Sequence, residues 1–207
     1  NLKGYWKMED GRGTTLTDIS GYENDGTING ASWITGVTST SYDNTPKVIT
    51  TGGGNALSFD GVNDIASFNR IPVDGTDGLT FSVWLKKKGS LPQNDAIETI
   101  LEQDNVGQQN PDYSLYLKNS TLNFIINSVN TVDGNISYNI NSSDFIDKWV
   151  HIAGIYNVST SITYLYINGS EVSSSMNHSG QITKGGGDNN SPVWNISIGG
   201  AGISGGG

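Results

Sequence analysis

Tyr164-Leu165-Tyr166-Ile167-Asn168-Gly169-Ser170-Glu171-Val172 decides how this chain is read. Asn-Gly readily takes the positive φ values of a type I′ turn, so the two apolar runs form a hairpin closed at Asn168-Gly169. Outward from it, Phe81-Ser82-Val83-Trp84-Leu85 alternates with a period of two: Phe81, Val83 and Leu85 make an apolar row that should face a core. Trp84 shares its side with Ser82. Residues 149–156 are apolar on both sides, as expected of a strand covered by another layer. Helical periodicity is absent. Strands are predicted near 4–8, 26–33, 55–59, 65–69, 79–86, 97–103, 113–118, 121–127, 148–156, 162–167, 171–174 and 193–198. About a dozen strands without a helix imply an all-β fold of two stacked antiparallel sheets.

The 207 residues suit one β-sandwich domain spanning 1–207, with no internal boundary. Charged residues are 15% of the chain, while 28 glycines and 23 asparagines supply turns. Eleven basic residues against 20 acidic give a net charge of −9, which repels phosphate backbones and anionic lipid. Nucleic-acid and membrane-surface roles are disfavoured, and no apolar run has the ~20 residues of a membrane helix. Without cysteine, disulfide scaffolds, thiolate zinc sites and cysteine nucleophiles are excluded. The chain opens on Asn1, which predicts a processed chain or a segment of a longer one.

Five pieces, in order, resemble the laminin-G-like members of the concanavalin A-like lectin/glucanase superfamily. They are Gly4-Tyr5-Trp6-Lys7-Met8-Glu9-Asp10 with the stretch from Asp18 to Gly26; Ala56-Leu57-Ser58-Phe59-Asp60-Gly61-Val62-Asn63-Asp64; Phe81 to Leu85; Trp149-Val150-His151-Ile152-Ala153; and Tyr164 to Gly169. The resemblance implies a jelly-roll sandwich, often fused to larger secreted proteins, that acts in carbohydrate binding, adhesion or structural assembly. Fold alone does not choose among these. Family members usually continue after an Ile-Gly-Gly like Ile198-Gly199-Gly200 into a further acidic strand. Here a glycine-rich end, 202–207, stands instead, so the expected final strand is either missing from the segment or supplied by a neighbour.

The resemblance also implies a structural Ca2+ near the Asp-x-Ser-Gly and Phe-Asp-Gly motifs, with Asp18, Asn24 and Asp60 as candidate ligands. Convergent Asp, Asn and carbonyl oxygens can supply the ~6–8 oxygens calcium prefers. The competing reading makes Asp18 and Asn24 Asx-turn residues and Asp60 a hairpin cap. A sugar site needs an aromatic face beside polar groups, because a pyranose has an apolar C–H face with hydroxyls around its rim. Trp194 near Asp188, Asn189 and Asn190 is the first candidate, with Tyr42 and Tyr113 behind it. Trp6, Trp33, Trp84 and Trp149 lie in strand-like contexts and are expected in the core.

Glycoside hydrolysis requires two carboxylates across the scissile bond. Glu98 and Glu102, four apart, would share a strand face but lie ~13 Å apart along it, so no catalytic pair is assigned. His151 is expected to pack within its strand and His178 to face solvent, and Lys86-Lys87-Lys88 is read as a solubilising run with no ligand. Asn-x-Ser/Thr acceptors for N-glycosylation occur at Asn119, Asn135, Asn141, Asn157, Asn168, Asn177, Asn189 and Asn195, with none among the ten asparagines before position 119.

The leading expectation is therefore a non-catalytic extracellular module, at a cell or virion surface, that binds glycans or mediates adhesion. The alternative is a structural subunit of an extracellular assembly, a filament or virion appendage, packing through a sheet edge as a homo-oligomer or a fusion. A hydrolase is the minority alternative. Partners are glycans or other extracellular chains, with no nucleic acid and no membrane insertion.

Overall fold

The computed structural model describes residues 2–36, 54–73, 75–105, 112–128, 131–176, 179–182 and 194–198. Within them the chain forms β1 (Thr15–Leu16), β2 (Gly26–Asn29), β3 (Ser32–Thr35), β4 (Asn55–Ser58), β5 (Ile65–Asn69), β6 (Gly78–Lys86), β7 (Ile97–Asn105), β8 (Tyr113–Lys118), β9 (Thr121–Ser128) and β10 (Thr131–Asn139). One helical turn, α1 (Ser142–Phe145), precedes β11 (Trp149–Asn157), β12 (Ile162–Ile167), β13 (Ser170–Ser175) and β14 (Trp194–Ile198). All strand pairings are antiparallel. They build an eight-stranded sheet ordered β1-β2-β5-β14-β7-β8-β9-β10, a four-stranded sheet ordered β13-β12-β11-β6, and a β3-β4 ribbon. The fold is a jelly-roll sandwich, as the sequence predicts.

Its core is the apolar alternation of both sheets. Leu115, Leu117, Leu122, Phe124 and Ile126 of β8 and β9 meet Val150, Ile152, Tyr156 and Leu165 of β11 and β12, all buried. Phe81 packs edge-on against Phe124, with ring centroids 4.9 Å apart. Gly154 lies between these rings: a Cβ there would collide with Phe81 and touch Phe124. The glycine interrupts the core row Val150, Ile152, Tyr156 because the rings already fill its space.

The hairpin forms as expected, with Asn168 at φ 51° and Gly169 at φ 80°, the two positive values of a type I′ turn. The continuous strand predicted over 26–33 divides into β2 and β3 instead. Gly30 stands between them at φ 81°, where a side chain would meet the Asp64 carboxylate. The predicted strand at 4–8 reduces to an isolated bridge between Trp6 and Asp18. β1 and β10 were not anticipated: β1 is two residues long, and Asp133-Gly134 inside β10 reads as a turn although Ile136 from the same strand enters the core.

Two of the four tryptophans expected in the core are elsewhere. Trp6 packs on Phe68 at 4.4 Å and Trp33 adjoins the core. Trp84 and Trp149 point away from it, on the outer face of the four-stranded sheet, where Trp84 is 37% exposed. Likewise β11 is buried on one face only, while Trp149, His151, Ala153, Ile155 and Asn157 are half-exposed on the other.

Candidate functional site

The register of the eight-stranded sheet carries one row of residues across every strand. Thr15 pairs with Thr27, Thr27 with Ser67, Ser67 with Ser197, Ser197 with Glu102, Glu102 with Ser114, Ser114 with Ile125 and Ile125 with Asn135. The adjacent row, with Phe68, Gln103, Tyr113 and Ile126, is buried. Alternation therefore sends the described side chains of the first row, those of Thr15, Thr27, Ser67, Glu102, Ser114, Ile125 and Asn135, to the outer face. A second outward row joins Thr99, Tyr116, Asn123 and Ser137. On this face Thr15, Thr27, Asn135 and Ser137 are exposed, Ser67, Glu102, Tyr116 and Ile125 are half-buried, and Thr99, Ser114 and Asn123 are buried, all set at the strand spacing of ~4.8 Å.

Glu102 is half-buried, and its Oε2 accepts the Ser114 hydroxyl at 2.9 Å. Burial pushes its carboxyl above the ordinary glutamate value, and the Ser114 hydrogen bond offsets this only in part. The register shift between Thr99 and Leu101 determines its orientation. Glu98 pairs with Leu117 and Glu102 with Ser114, three residues apart on β8, so the two carboxylates lie on opposite faces of the sheet. The shared face expected from their spacing is corrected by this bulge. Glu98 pairs with Lys87 at 3.2 Å.

Beneath this face runs a buried polar network. Asp112, fully buried, accepts Arg70 Nη2 at 3.1 Å and Gln103 Nε2 at 2.7 Å on Oδ2, and Gln103 Oε1 accepts the Ile71 N–H at 3.1 Å. The network ties β5, β7 and the start of β8 together where the polar rows cross them.

The candidate calcium ligands are divided. Asp18 Oδ1 accepts the N–H groups of Tyr5 (2.8 Å) and Ser20 (2.9 Å), and Oδ2 accepts the Ser20 hydroxyl (2.7 Å) and the Asn24 N–H (3.0 Å). Four donors fill the ~4 lone-pair positions a carboxylate offers. The Asn24 side-chain amide donates to the Lys3 carbonyl, and Asp60 Oδ1 caps the Val62 and Asn63 N–H groups. Asp18 thus ties the N-terminal segment to its loop. Among the described residues no group of three or more acidic or histidine side chains could hold a metal. Burial raises the Asp18 carboxyl, but the hydrogen bonds from Ser20, Tyr5 and Asn24 outweigh it and hold the group below its ordinary value. The charged form is favoured on folding, so its stabilisation is present above the ordinary aspartate pKa and is lost as pH falls through the lower folded value. Asp18→Asn should remove that acid-side slope and speed exchange of the Tyr5, Ser20 and Asn24 amides at least tenfold, read by hydrogen exchange. Unchanged exchange would contradict this role.

Of the candidate sugar-binding residues, Tyr113 is corrected: it is 5% exposed with its ring in the core, and burial and the Asp112 charge hold its hydroxyl far above the ordinary tyrosine value. Trp194 begins β14 opposite Asn105, and its side chain lies outside the described residues, as do Tyr42, Asp188, Asn189 and Asn190. His151 faces outward, its ring 5.1 Å from that of Trp84 and its Nε2 3.2 Å from Ser82 Oγ, while His178 lies outside the described residues. Among the glycosylation acceptors, Asn119, Asn135, Asn141 and Asn168 are exposed and Asn157 is half-buried. The side-chain oxygens of Asn119, Asn157 and Asn168 accept N–H groups of Asp95, Ser159 and His151. Asn177 and Asn189 are outside the description, and Asn195 lies in β14. Ser114, Tyr116 and Asn123 are not among the residues expected at a site, although the alternation of Tyr113-Ser114-Leu115-Tyr116-Leu117 already places Ser114 and Tyr116 opposite the core row.

A two-sheet jelly roll with a polar, hydroxyl-lined outer face defines a class of sandwich domains. Residues 52–202 match the family model described as the concanavalin A-like lectin/glucanases superfamily, and the chain belongs to that laminin-G-like family. Solved structures of similar fold include the receptor binding domain of a botulinum neurotoxin C/D mosaic serotype, with TM-score 0.62, 16% identity, and coverage of 91% of this chain and 41% of that one. The binding domain of botulinum neurotoxin serotype G gives 0.60 and 17%, covering 97% and 46%. The serotype D ligand binding domain, solved in complex with N-acetylneuraminic acid, gives 0.57 and 19%, covering 93% and 43%. The chain spans less than half the length of these structures. No curated protein matches the sequence.

Proposed function

We propose that this chain is a non-catalytic carbohydrate-binding or adhesion module acting outside the cell, and that a glycan lies across the outer face of its eight-stranded sheet. The observation that carries the reading is the cross-strand row through Ser67, Glu102, Ser114 and Asn135. Polar groups one or two strand spacings apart, about 5–10 Å, with Ser67 and Glu102 half-buried and Asn135 exposed, suit a polyhydroxylated chain crossing the strands. Tyr116 offers an apolar ring in the neighbouring row. Glu102 is the strongest acceptor, a partly desolvated carboxylate. Family membership and the ligand-bound neighbour support the same direction. The bulge that sends Glu98 and Glu102 to opposite faces favours binding over hydrolysis.

The test separates function from scaffold. Glu102 keeps its proton to a higher pH in the folded chain than in the unfolded one, so stability falls as pH rises from the ordinary glutamate value through the raised one. Glu102→Gln removes that penalty. The variant should melt at the same temperature as the parent or higher at pH 7, while its affinity for oligosaccharides selected on a glycan array drops about tenfold. Glycan binding unchanged in Glu102→Gln, or no glycan retained by the parent protein, would refute the assignment.

A further inference from the structure

The outer face of the four-stranded sheet has different chemistry. Trp84, Trp149, Ile155, Tyr164 and Tyr166 stand half-exposed or exposed across β6, β11 and β12, with the Tyr164 and Tyr166 rings 6.3 Å apart. Ser82 and His151 hydrogen-bond to each other, so the middle of the face offers few groups to satisfy a sugar's hydroxyls. This is an apolar surface of the kind that meets protein. Its charges lie diagonally across it: exposed Lys86 is paired with Trp149 at one end of β6, and exposed Glu171, at the start of the far strand β13, aligns through Tyr166 and Ala153 with Ser82 in the middle of β6. Three strand spacings across and four residues along place the two charges roughly 20 Å apart.

We propose that this face is a homodimer interface occupied by a second copy of the same chain. A face with a cation and an anion set diagonally across it is self-complementary under a two-fold axis in its plane perpendicular to the line joining them, which brings each Lys86 onto the partner's Glu171. That axis crosses the strands of the two copies at nearly a right angle, one of the two preferred angles of sheet packing. Four strands cover about 500–600 Å² per copy by strand spacing and rise, or about 1,000–1,200 Å² in the pair, the low end for a specific interface. The dimer is therefore weak, with a dissociation constant on the order of 100 µM. The second copy also supplies the layer that the two-sided apolar pattern of residues 149–156 anticipates.

Sedimentation equilibrium of the full chain at 0.15 M salt, from 10 µM to 1 mM, tests this. The parent should pass from monomer to dimer across the range. Lys86→Glu and Glu171→Lys should each weaken association at least fivefold, and the double variant carrying both should recover it, because the swap recreates the pair in reverse. Far-ultraviolet circular dichroism confirms that the exposed substitutions leave the sheets intact. A parent monomeric at 1 mM, a dimer indifferent to both single reversals, or a double variant as weak as the singles would overturn the proposal. So would loss of glycan binding in Trp84→Ala, which would give this face to a sugar.

Discussion

Asp112→Ala is expected to cost about 3–5 kcal/mol, enough to lower the melting temperature of a domain of this size by roughly 6–20 °C. The carboxylate is fully buried and holds both Arg70 Nη2 and Gln103 Nε2 on one oxygen. Removing it takes a buried counter-charge from the largely buried Arg70 guanidinium, and Gln103 loses an acceptor while still committed to the Ile71 N–H. Most of the loss is the penalty of burying groups whose partner has gone. Asp112→Asn should lose less, because its amide oxygen can still accept both Arg70 Nη2 and Gln103 Nε2 and only the negative charge is gone. Replacing Arg70 and Asp112 together with apolar residues should recover part of the loss, so the double-mutant cycle should be strongly non-additive. Urea denaturation gives all four values, and a loss below ~1 kcal/mol for Asp112→Ala would show that the network contributes little.

Phe124→Ala should be comparably severe, also about 3–5 kcal/mol, for an apolar reason. Its ring is fully buried, meets Phe81 edge-on and lies in the space that Gly154 leaves open. Neighbours cannot collapse into the void without moving one sheet toward the other. The contrast is with Trp84→Ala, also an aromatic truncation but on the outer face, which should cost about 1 kcal/mol or less in the monomer. If the two substitutions destabilise equally in urea, the placement of Phe124 between the sheets and of Trp84 outside them is wrong.

The architecture was legible because alternation is local. The row of Phe81, Val83 and Leu85 and the Asn168-Gly169 turn each follow from a few consecutive residues, and the structure places both as read. β10 escaped because Asp133-Gly134 carries a turn signal that pairing with β9 overrides. The side of Trp84 followed from alternation and only its expected burial failed, whereas the outward position of Trp149 escaped because hydrophobicity alone does not say which face of a strand meets the core when both are apolar. The polar face was illegible for another reason. Thr27, Ser67, Glu102, Ser114 and Asn135 come from strands scattered over more than half the chain and align only through inter-strand register. The bulge between Thr99 and Leu101 then reverses the side on which a simple period-two count puts Glu102 relative to Glu98. Asp18 was legible as a residue of the Asp-x-Ser-Gly loop, but the four donors it accepts come from Tyr5, Ser20 and Asn24, whose convergence no local motif shows.

The central functional claim is that sugars meet the hydroxyl-lined sheet face and not the aromatic one. Titrating the isotopically labelled protein with an array-selected oligosaccharide, and following backbone amide shifts, tests it most directly. The account predicts that the largest changes fall at Glu102, Ser114, Tyr116, Asn123 and Asn135, with Trp84, His151 and Tyr166 unmoved. Changes concentrated on β6, β11 and β12, with β7, β8 and β9 silent, would contradict it.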